Sequence, residues 1–185
     1  KHWTAETPNL YLCKVKTKTD EIDVSFGIRE LKWSAKTGLT VNGKEVLLRG
    51  GCIHHDNGIL GACCYYDYEY RRVKILKDAG YNAIRCAHNP ASAAFLKACD
   101  ELGMYVMDEV FDGWYIPKNY HDYSRIFYSE WKSDIYAMVE NSRNHPCVIM
   151  YSIGNEITET VYEKGCKICN EMTQYVHSLD NTRPV

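Results

Sequence analysis

The 185-residue chain carries 22 basic and 24 acidic side chains and is 45% hydrophobic, enough apolar material for a buried core and too much for a disordered chain. A formal charge of -2, with basic residues scattered among acidic ones, offers no footprint for nucleic acid or an anionic membrane. The longest unbroken apolar runs, such as Cys147 to Tyr151, are far short of the ~20 residues that cross a bilayer.

Nine cysteines form an odd, irregularly spaced set in a chain too large to need disulfide staples, so a reducing compartment, the cytoplasm, is the expected location. The single Cys-x-x-Cys, Cys166 to Cys169, falls in a helical pattern without a second pair, and no chemistry is assigned to it. The first residues show neither an initiator Met nor a signal-peptide shape, and the chain reads as cut from something longer.

In chain order, Leu10 to Thr19 and Glu21 to Arg29 have strand character. Leu39 to Val41 then meets Val46 to Leu48 across Asn42-Gly43, the dipeptide suited to a tight hairpin. From there strands alternate with helices, the mark of βα units around a parallel sheet. The expected strands are Val46–Arg49, Asn82–Arg85, Met104–Glu109 and Val148–Ile153. The first helix is capped by Asp67, buries Val73, Leu76 and Ala79, and stops at Gly80. The second opens at Asn89-Pro90, carries Phe95, Ala98, Cys99 and Leu102, and stops at Gly103. Trp131, Ile135, Met138 and Val139 mark a third, and Ile168, Met172, Tyr175, Val176 and Leu179 a fourth. Thr182 to Val185 would open a fifth strand.

Each strand runs out into chemically capable side chains: His54, His55 and Asp56; Arg85 and His88; Asp108 and Glu109; Asn155 and Glu156. In a β/α barrel these ends converge on one face, where the βα loops build a site. Doubly wound sheets also bind ligands at strand carboxyl ends, but Gly50-Gly51-Cys52-Ile53-His54 is not the glycine-rich phosphate loop such a fold usually carries. Taken alone, Asn155-Glu156 reads better as the capped start of a helix, whereas Arg85 and His88, with capping of the next helix as their alternative, read better as site residues, since an arginine at a strand end is costly to bury unpaired.

Two segments are more specific. Asn82-Ala-Ile-Arg85-Cys-Ala-His88-Asn89-Pro90, continuing to Asp100-Glu-Leu-Gly103-Met-Tyr-Val-Met, is one; Arg143-Asn-His-Pro146-Cys-Val-Ile-Met-Tyr151-Ser-Ile-Gly-Asn155-Glu156 is the other. They resemble the signature regions of glycoside hydrolase family 2, the family of β-galactosidases, β-glucuronidases and β-mannosidases. Trp3 to Tyr11, Phe26-Gly27 with Arg29, Asn42-Gly43-Lys44, Leu48-Arg49-Gly50 and His54-His55-Asp56 match in the same order, so the resemblance covers nearly the whole chain. Gly50 to Ala62 is most similar to bacterial β-galactosidase-type members.

The resemblance implies an α/β chain: residues 1–34 finish an immunoglobulin-like β-sandwich, and 35–185 form the N-terminal half of a (β/α)8 TIM barrel, which takes ~250 residues in full. It implies a retaining exo-β-glycosidase, most simply of β-galactosides, with Glu156 as acid/base and a nucleophile beyond this chain. The acid/base carboxyl protonates the leaving oxygen, and the charge of a nucleophile ~5–5.5 Å away would hold it protonated until that group is esterified. Asn155 would face away from Glu156 and bond the sugar 2-hydroxyl. Arg85 and His88 would support the nucleophile and the sugar floor, His54 would touch substrate with Asp56 a lesser candidate, and Glu109 would lie near the sugar. Asp108 is read as structural first, and His55 as equally able to pack beneath its loop.

Three departures from the family pattern are Asn89 for Tyr, Tyr151 for Trp, the two swaps bearing on packing around the sugar, and Ser142 for an acidic or amide residue. Magnesium ligands of the large β-galactosidases fall at Gly113 and Tyr115, so no catalytic metal and no cofactor are expected. Of the aromatic residues only Trp114 is read as lining the sugar pocket. The partners expected are a carbohydrate substrate and, through exposed sheet edges, a second copy of the chain. A non-catalytic carbohydrate-binding or assembly module on the same fold is the alternative.

Overall fold

A computed structural model describes residues 1–185. Two antiparallel sheets come first. Strands β1 (Tyr11–Lys16) and β2 (Glu21–Phe26) pair with Tyr11 opposite Phe26, and most of their side chains are exposed. Strands β3 (Leu31–Ser34), β4 (Gly38–Val41) and β5 (Lys44–Glu45) form the second sheet. The β4–β5 hairpin turns at Asn42-Gly43, both with positive φ, as the dipeptide requires. Its second arm is Lys44–Glu45 rather than Val46–Leu48, because Val46 returns to bond Leu39 and the chain then leaves the sheet.

The parallel sheet consists of β6 (Gly50–His54), β7 (Ala83–Ala87), β8 (Tyr105–Glu109) and β9 (Val148–Ser152), adjacent in chain order. Helices α1 (Tyr66–Asp78), α2 (Ala93–Leu102) and α3 (Phe127–Ser142) fill the three connections, and α4 (Glu163–Leu179) follows β9. The parallel strands are neighbours in chain order, and α1 packs on α2, α2 on α3 and α3 on α4, so the helices line one side of the sheet, as in a barrel and unlike a doubly wound fold. The period-2 pleat then sorts the strands. Ile84, Cys86, Val106, Asp108, Ile149 and Tyr151 are buried against the helices. Cys52, Arg85, Met107 and Met150 sit side by side on the other face.

The structure corrects four local expectations. The first parallel strand is Gly50–His54, not Val46–Arg49: a Cβ on Gly50 would lie 2.6 Å from the Ala83 carbonyl oxygen, so the strand is admitted there because it starts with glycine. Helix α2 is capped by Ser92, whose Oγ accepts from the Phe95 N–H at 3.1 Å, and Asn89-Pro90 belongs to the loop before it. Asp67 lies in the first turn of α1 without capping it, and Ala79 is exposed at its end. Thr182 to Val185 forms no strand, although the Tyr151 N–H donates to the Pro184 carbonyl alongside β9.

The N-terminal segment is docked on the amino ends of these strands. Trp3 is fully buried, packs edge-on to Tyr105 and donates from Nε1 to the Asp100 carbonyl at 2.8 Å. Arg29 donates to the carbonyls of Pro146 and Val148, and its guanidinium is lowered to about 10 by burial and by the neighbouring charge of Arg183. Gly103 ends α2 with φ +72°, and a Cβ there would sit 2.2 Å from the Ala5 carbonyl oxygen. No helix is long and apolar enough to cross a membrane.

Candidate active site

The carboxyl ends of β6 to β9 bring most of the sequence-selected residues into one cluster, centred on Glu109. This side chain ends β8 fully buried. Arg85, on β7, donates from Nε and Nη2 to Oε2 at 2.9 and 2.7 Å and from Nη2 to Oε1 at 2.9 Å. Ser152 Oγ donates to Oε2 at 2.6 Å, and His88 Nδ1 lies 2.7 Å from Oε1. A carboxylate facing a guanidinium only accepts, so His88 carries its proton on Nδ1 and leaves Nε2 for another partner. With both oxygens bonded, the buried Glu109 carboxylate anchors Arg85 and His88.

Burial works against the Arg85 charge, but hydrogen bonds to the Cys52 sulfur and to Glu109 outweigh it and hold the guanidinium above its ordinary range. A further donation, from Nη2 to Asn155 Oδ1 at 2.9 Å, carries the network to the turn after β9. Asn155 also donates from Nδ2 to Asp112 Oδ1 at 3.0 Å. That bond, with Lys118 beside it, keeps the Asp112 carboxyl below its usual range.

Glu156 follows Asn155 in the same turn. Its side chain is exposed, and its φ of 47° is in the left-handed region. It lies on the rim that carries Arg85 and His54, not beneath the sheet. Trp114 supports this turn from below: it is 2% exposed and donates from Nε1 to the Ile153 carbonyl at 2.7 Å. A Cβ on Gly154 would press on Ile157 at 2.6 Å and on the Trp114 Nε1 at 2.9 Å. Trp114 is therefore a buttress of the turn, and it also lines a cleft with Met107, Met150 and Ser152.

His54, exposed at the end of β6, stands edge-on to His88 with ring centroids 5.3 Å apart. Asp56 is held away from this pair by its own loop, where Oδ1 accepts from the Gly58 N–H at 2.8 Å. His55 packs against the same loop, with Nε2 near the Ala62 carbonyl and the Cys64 sulfur. Asp108 faces the helices, where Oδ1 accepts from the Ala91 N–H at 2.9 Å and Oδ2 from Ser142. Tyr151 also faces the helices and donates to Asp180 at 2.9 Å, so its replacement of Trp does not bear on the sugar face.

Sequence reasoning missed Ser152, Asp112 and Lys118. Ser152 was findable: it stands opposite Glu109 in the β8–β9 register, two residues beyond Met150 on the open face. Asp112 and Lys118 lie in the irregular β8–α3 loop, where no periodicity marks them. Position 115, named with 113 for the metal question, holds a ring stacked on Tyr128 at 5.6 Å, and position 113 has no side chain. Asp100, His145 and Cys147 have ligand atoms within 4.8 Å of one another before β9. There Asp100 is already bonded to His145 Nδ1 and the Cys147 N–H, while burial pushes the Cys147 thiol up and keeps it a poor ligand.

Residues 34–185 match the family model described as glycosyl hydrolases family 2, TIM barrel domain. A β-galactosidase of Bacteroides ovatus is 42% identical over 163 residues, covering 85% of this chain and 19% of that protein. A crystal structure of a glycosyl hydrolase family 2 member from Bacteroides cellulosilyticus superimposes with a TM-score of 0.93 at 45% identity, over 99% of this chain and 24% of the other. A β-glucuronidase of Parabacteroides merdae superimposes with a TM-score of 0.80 at 28% identity, again over 99% of this chain and 24% of its own. The chain thus spans about a fifth to a quarter of these relatives' lengths.

Proposed function

Because the chain belongs to glycosyl hydrolase family 2, we propose that it supplies the acid/base side of a retaining exo-β-glycosidase, most simply one acting on β-galactosides. The observation that carries this reading is the continuous path Glu109–Arg85–Asn155 at the strand carboxyl ends, with the Glu156 carboxyl free beside it. A β-galactosidase and a β-glucuronidase stand among the relatives, and the choice of galactoside rests on the higher identity to the former.

In this reading Glu156 protonates the glycosidic oxygen as the bond to the anomeric carbon breaks. A carboxylate on a strand beyond Val185 attacks that carbon. Once the glycosyl-enzyme has formed, Glu156 takes a proton from water as the water oxygen bonds to the anomeric carbon and displaces the carboxylate, which frees the sugar with its anomeric configuration retained. Asn155, its amide held by Arg85 and Asp112, is oriented to meet the 2-hydroxyl, a contact that strengthens as positive charge grows on the ring. Arg85, His88 and His54 form the floor.

The domain division belongs to the same proposal: residues 1–34 complete a sandwich and 35–185 form half a barrel. The exposed β1–β2 pair and the four sequential parallel strands fit it. So does a cytoplasmic setting, with thiols at Cys86, Cys99 and Cys147 inside the core.

The test uses the full-length polypeptide. Glu156→Ala lowers kcat/KM on phenyl β-D-galactoside by ~10²–10⁴-fold, and azide restores turnover of 2,4-dinitrophenyl β-D-galactoside, whose leaving group needs no proton. Wild-type turnover by the variant removes Glu156 from the mechanism. Sugar binding without hydrolysis by the wild type points to the binding module, and preferential turnover of β-glucuronides moves the substrate assignment.

A further inference from the structure

We infer that Lys118 is a positioning residue: its ammonium, with the Asp112 carboxylate, clamps the Asn155–Glu156 peptide and so sets the direction in which the Glu156 carboxyl is presented. The inference rests on the reading of Glu156 as acid/base.

Lys118 reaches from the β8–α3 loop to three acceptors. Its Nζ donates to the Asn155 carbonyl at 2.7 Å, to the Asp112 carbonyl at 2.7 Å and to Asp112 Oδ1 at 3.1 Å. An ammonium has three protons, and these contacts use all of them. The group is therefore spent on the protein and has none left for a sugar hydroxyl.

An exposed Lys–Asp pair ordinarily contributes little. Lys118 differs on two grounds: its side chain is only 28% exposed, and two of its three bonds go to main-chain carbonyls, one of them belonging to the peptide that joins Asn155 to Glu156. The loop that delivers it is itself tied down. Asp122 Oδ2 accepts from the Lys118 and Asn119 N–H groups, and the Ile116 N–H donates to buried Glu159 at 2.8 Å.

The backbone of Glu156 explains why such a clamp is needed. Only two residues other than glycine have a positive φ, and the other, Asn42, sits in a hairpin turn that favours asparagine. A glutamate in the left-handed region is disfavoured by its own Cβ, so its surroundings must hold it there. The φ of Glu156 is the torsion about its N–Cα bond, measured from the Asn155 carbonyl carbon, so a cation that holds the Asn155 carbonyl holds the peptide plane against which φ is set. Asn155 is held at its side chain by Arg85 and Asp112 and at its carbonyl by Lys118. With the carbonyl released, the peptide is free to rotate towards negative φ and swing the carboxyl off its line to the glycosidic oxygen.

The experiment compares wild type, Lys118→Met, Lys118→Arg, Asp112→Asn and Glu156→Ala in the full-length protein. Its substrates are the phenyl and 2,4-dinitrophenyl β-D-glycosides of whichever sugar, galactose or glucuronic acid, the protein hydrolyses. Lys118→Met is expected to lose ~10–100-fold in kcat on the phenyl glycoside with KM nearly unchanged, because a catalytic group displaced by about 1 Å costs about that much. Its loss on the dinitrophenyl glycoside is smaller, and azide stimulates that reaction partially, where it rescues Glu156→Ala strongly. Lys118→Arg recovers part of the phenyl activity. Where Lys118→Met fails to fold, Asp112→Asn reads the same clamp and gives the same substrate dependence. If Glu156→Ala is inactive and azide-rescued while folded Lys118→Met, or Asp112→Asn in its place, matches wild type on both substrates and ignores azide, the clamp is refuted and the acid/base reading stands. If Glu156→Ala keeps full activity, the acid/base reading falls and takes the clamp with it.

Discussion

Arg85 holds Glu109 along both edges of its carboxylate, and the same Nη2 that closes this pair reaches Asn155. One guanidinium thereby links a buried anion to an amide beside the proposed proton donor. A planar fork makes this possible, and an ammonium cannot reproduce it.

Arg85→Met leaves Glu109 charged and buried with only His88 and Ser152 for support. Breaking a buried pair from one side costs about 3–5 kcal/mol, so denaturant unfolding of the full-length protein should show a loss of that order in the transition of this domain. Arg85→Lys should recover only part of it. A loss below about 1 kcal/mol for Arg85→Met would mean that the pair is not structurally coupled.

Asp108 gives the fold a pH dependence of unusual sign. Burial raises its carboxyl to about 6, against the bonds from Ser142 and Ala91 that favour the anion. The folded state therefore binds a proton that the unfolded chain, at ~3.9, has already released. The stabilising contribution is complete below about pH 4, declines as pH rises through about 6 and is flat above it, a span of up to about 3 kcal/mol. Asp108→Asn keeps the shape and removes the titration, so stability curves of the variant and wild type should diverge in slope across pH 4–6.5; parallel curves would contradict the assignment.

Ser92→Ala removes the α2 cap and should cost about 1 kcal/mol, with Ser92→Asp recovering most of it. Asn89→Ala, at the position sequence reasoning preferred for the helix start, should be close to neutral by the same measurement.

Gly103→Ala combines a positive φ with a contact of 2.2 Å to the Ala5 carbonyl, which only a backbone shift relieves. The cost should exceed the ~1 kcal/mol typical of alanine at a left-handed position. The Trp3 indole, buried beside Asp100, should report the displacement as a red-shifted fluorescence relative to wild type; an unchanged spectrum would mean that the segment tolerates the methyl group.

Much of this was legible in the sequence because the parallel strands carry their own signals. Apolar runs ending in polar residues located three strands to within two residues at each end, and Gly80 and Gly103 marked real helix ends. The first parallel strand was hidden because its opening glycines read as a turn, whereas packing against Ala83 selected them. Glu109 and Trp114 were placed in the cluster, but a sequence shows which residues end a strand without showing how many donors converge on them. Asp112 and Lys118 act from a loop, and only the folded path of that loop brings them to Asn155.

The donors that saturate Glu109 come from both neighbouring strands, Arg85 on one side and Ser152 on the other. A slip of β9 by two residues would keep the inside-outside pattern of every strand intact, so hydrophobic sorting alone cannot reject it. Such a slip would set Met150 or Gly154 against Glu109 and withdraw a proton from a charge that has no water to replace it. The polar cluster thus distinguishes between alignments that the apolar pattern leaves equivalent, and the one it favours is the one that assembles the rim.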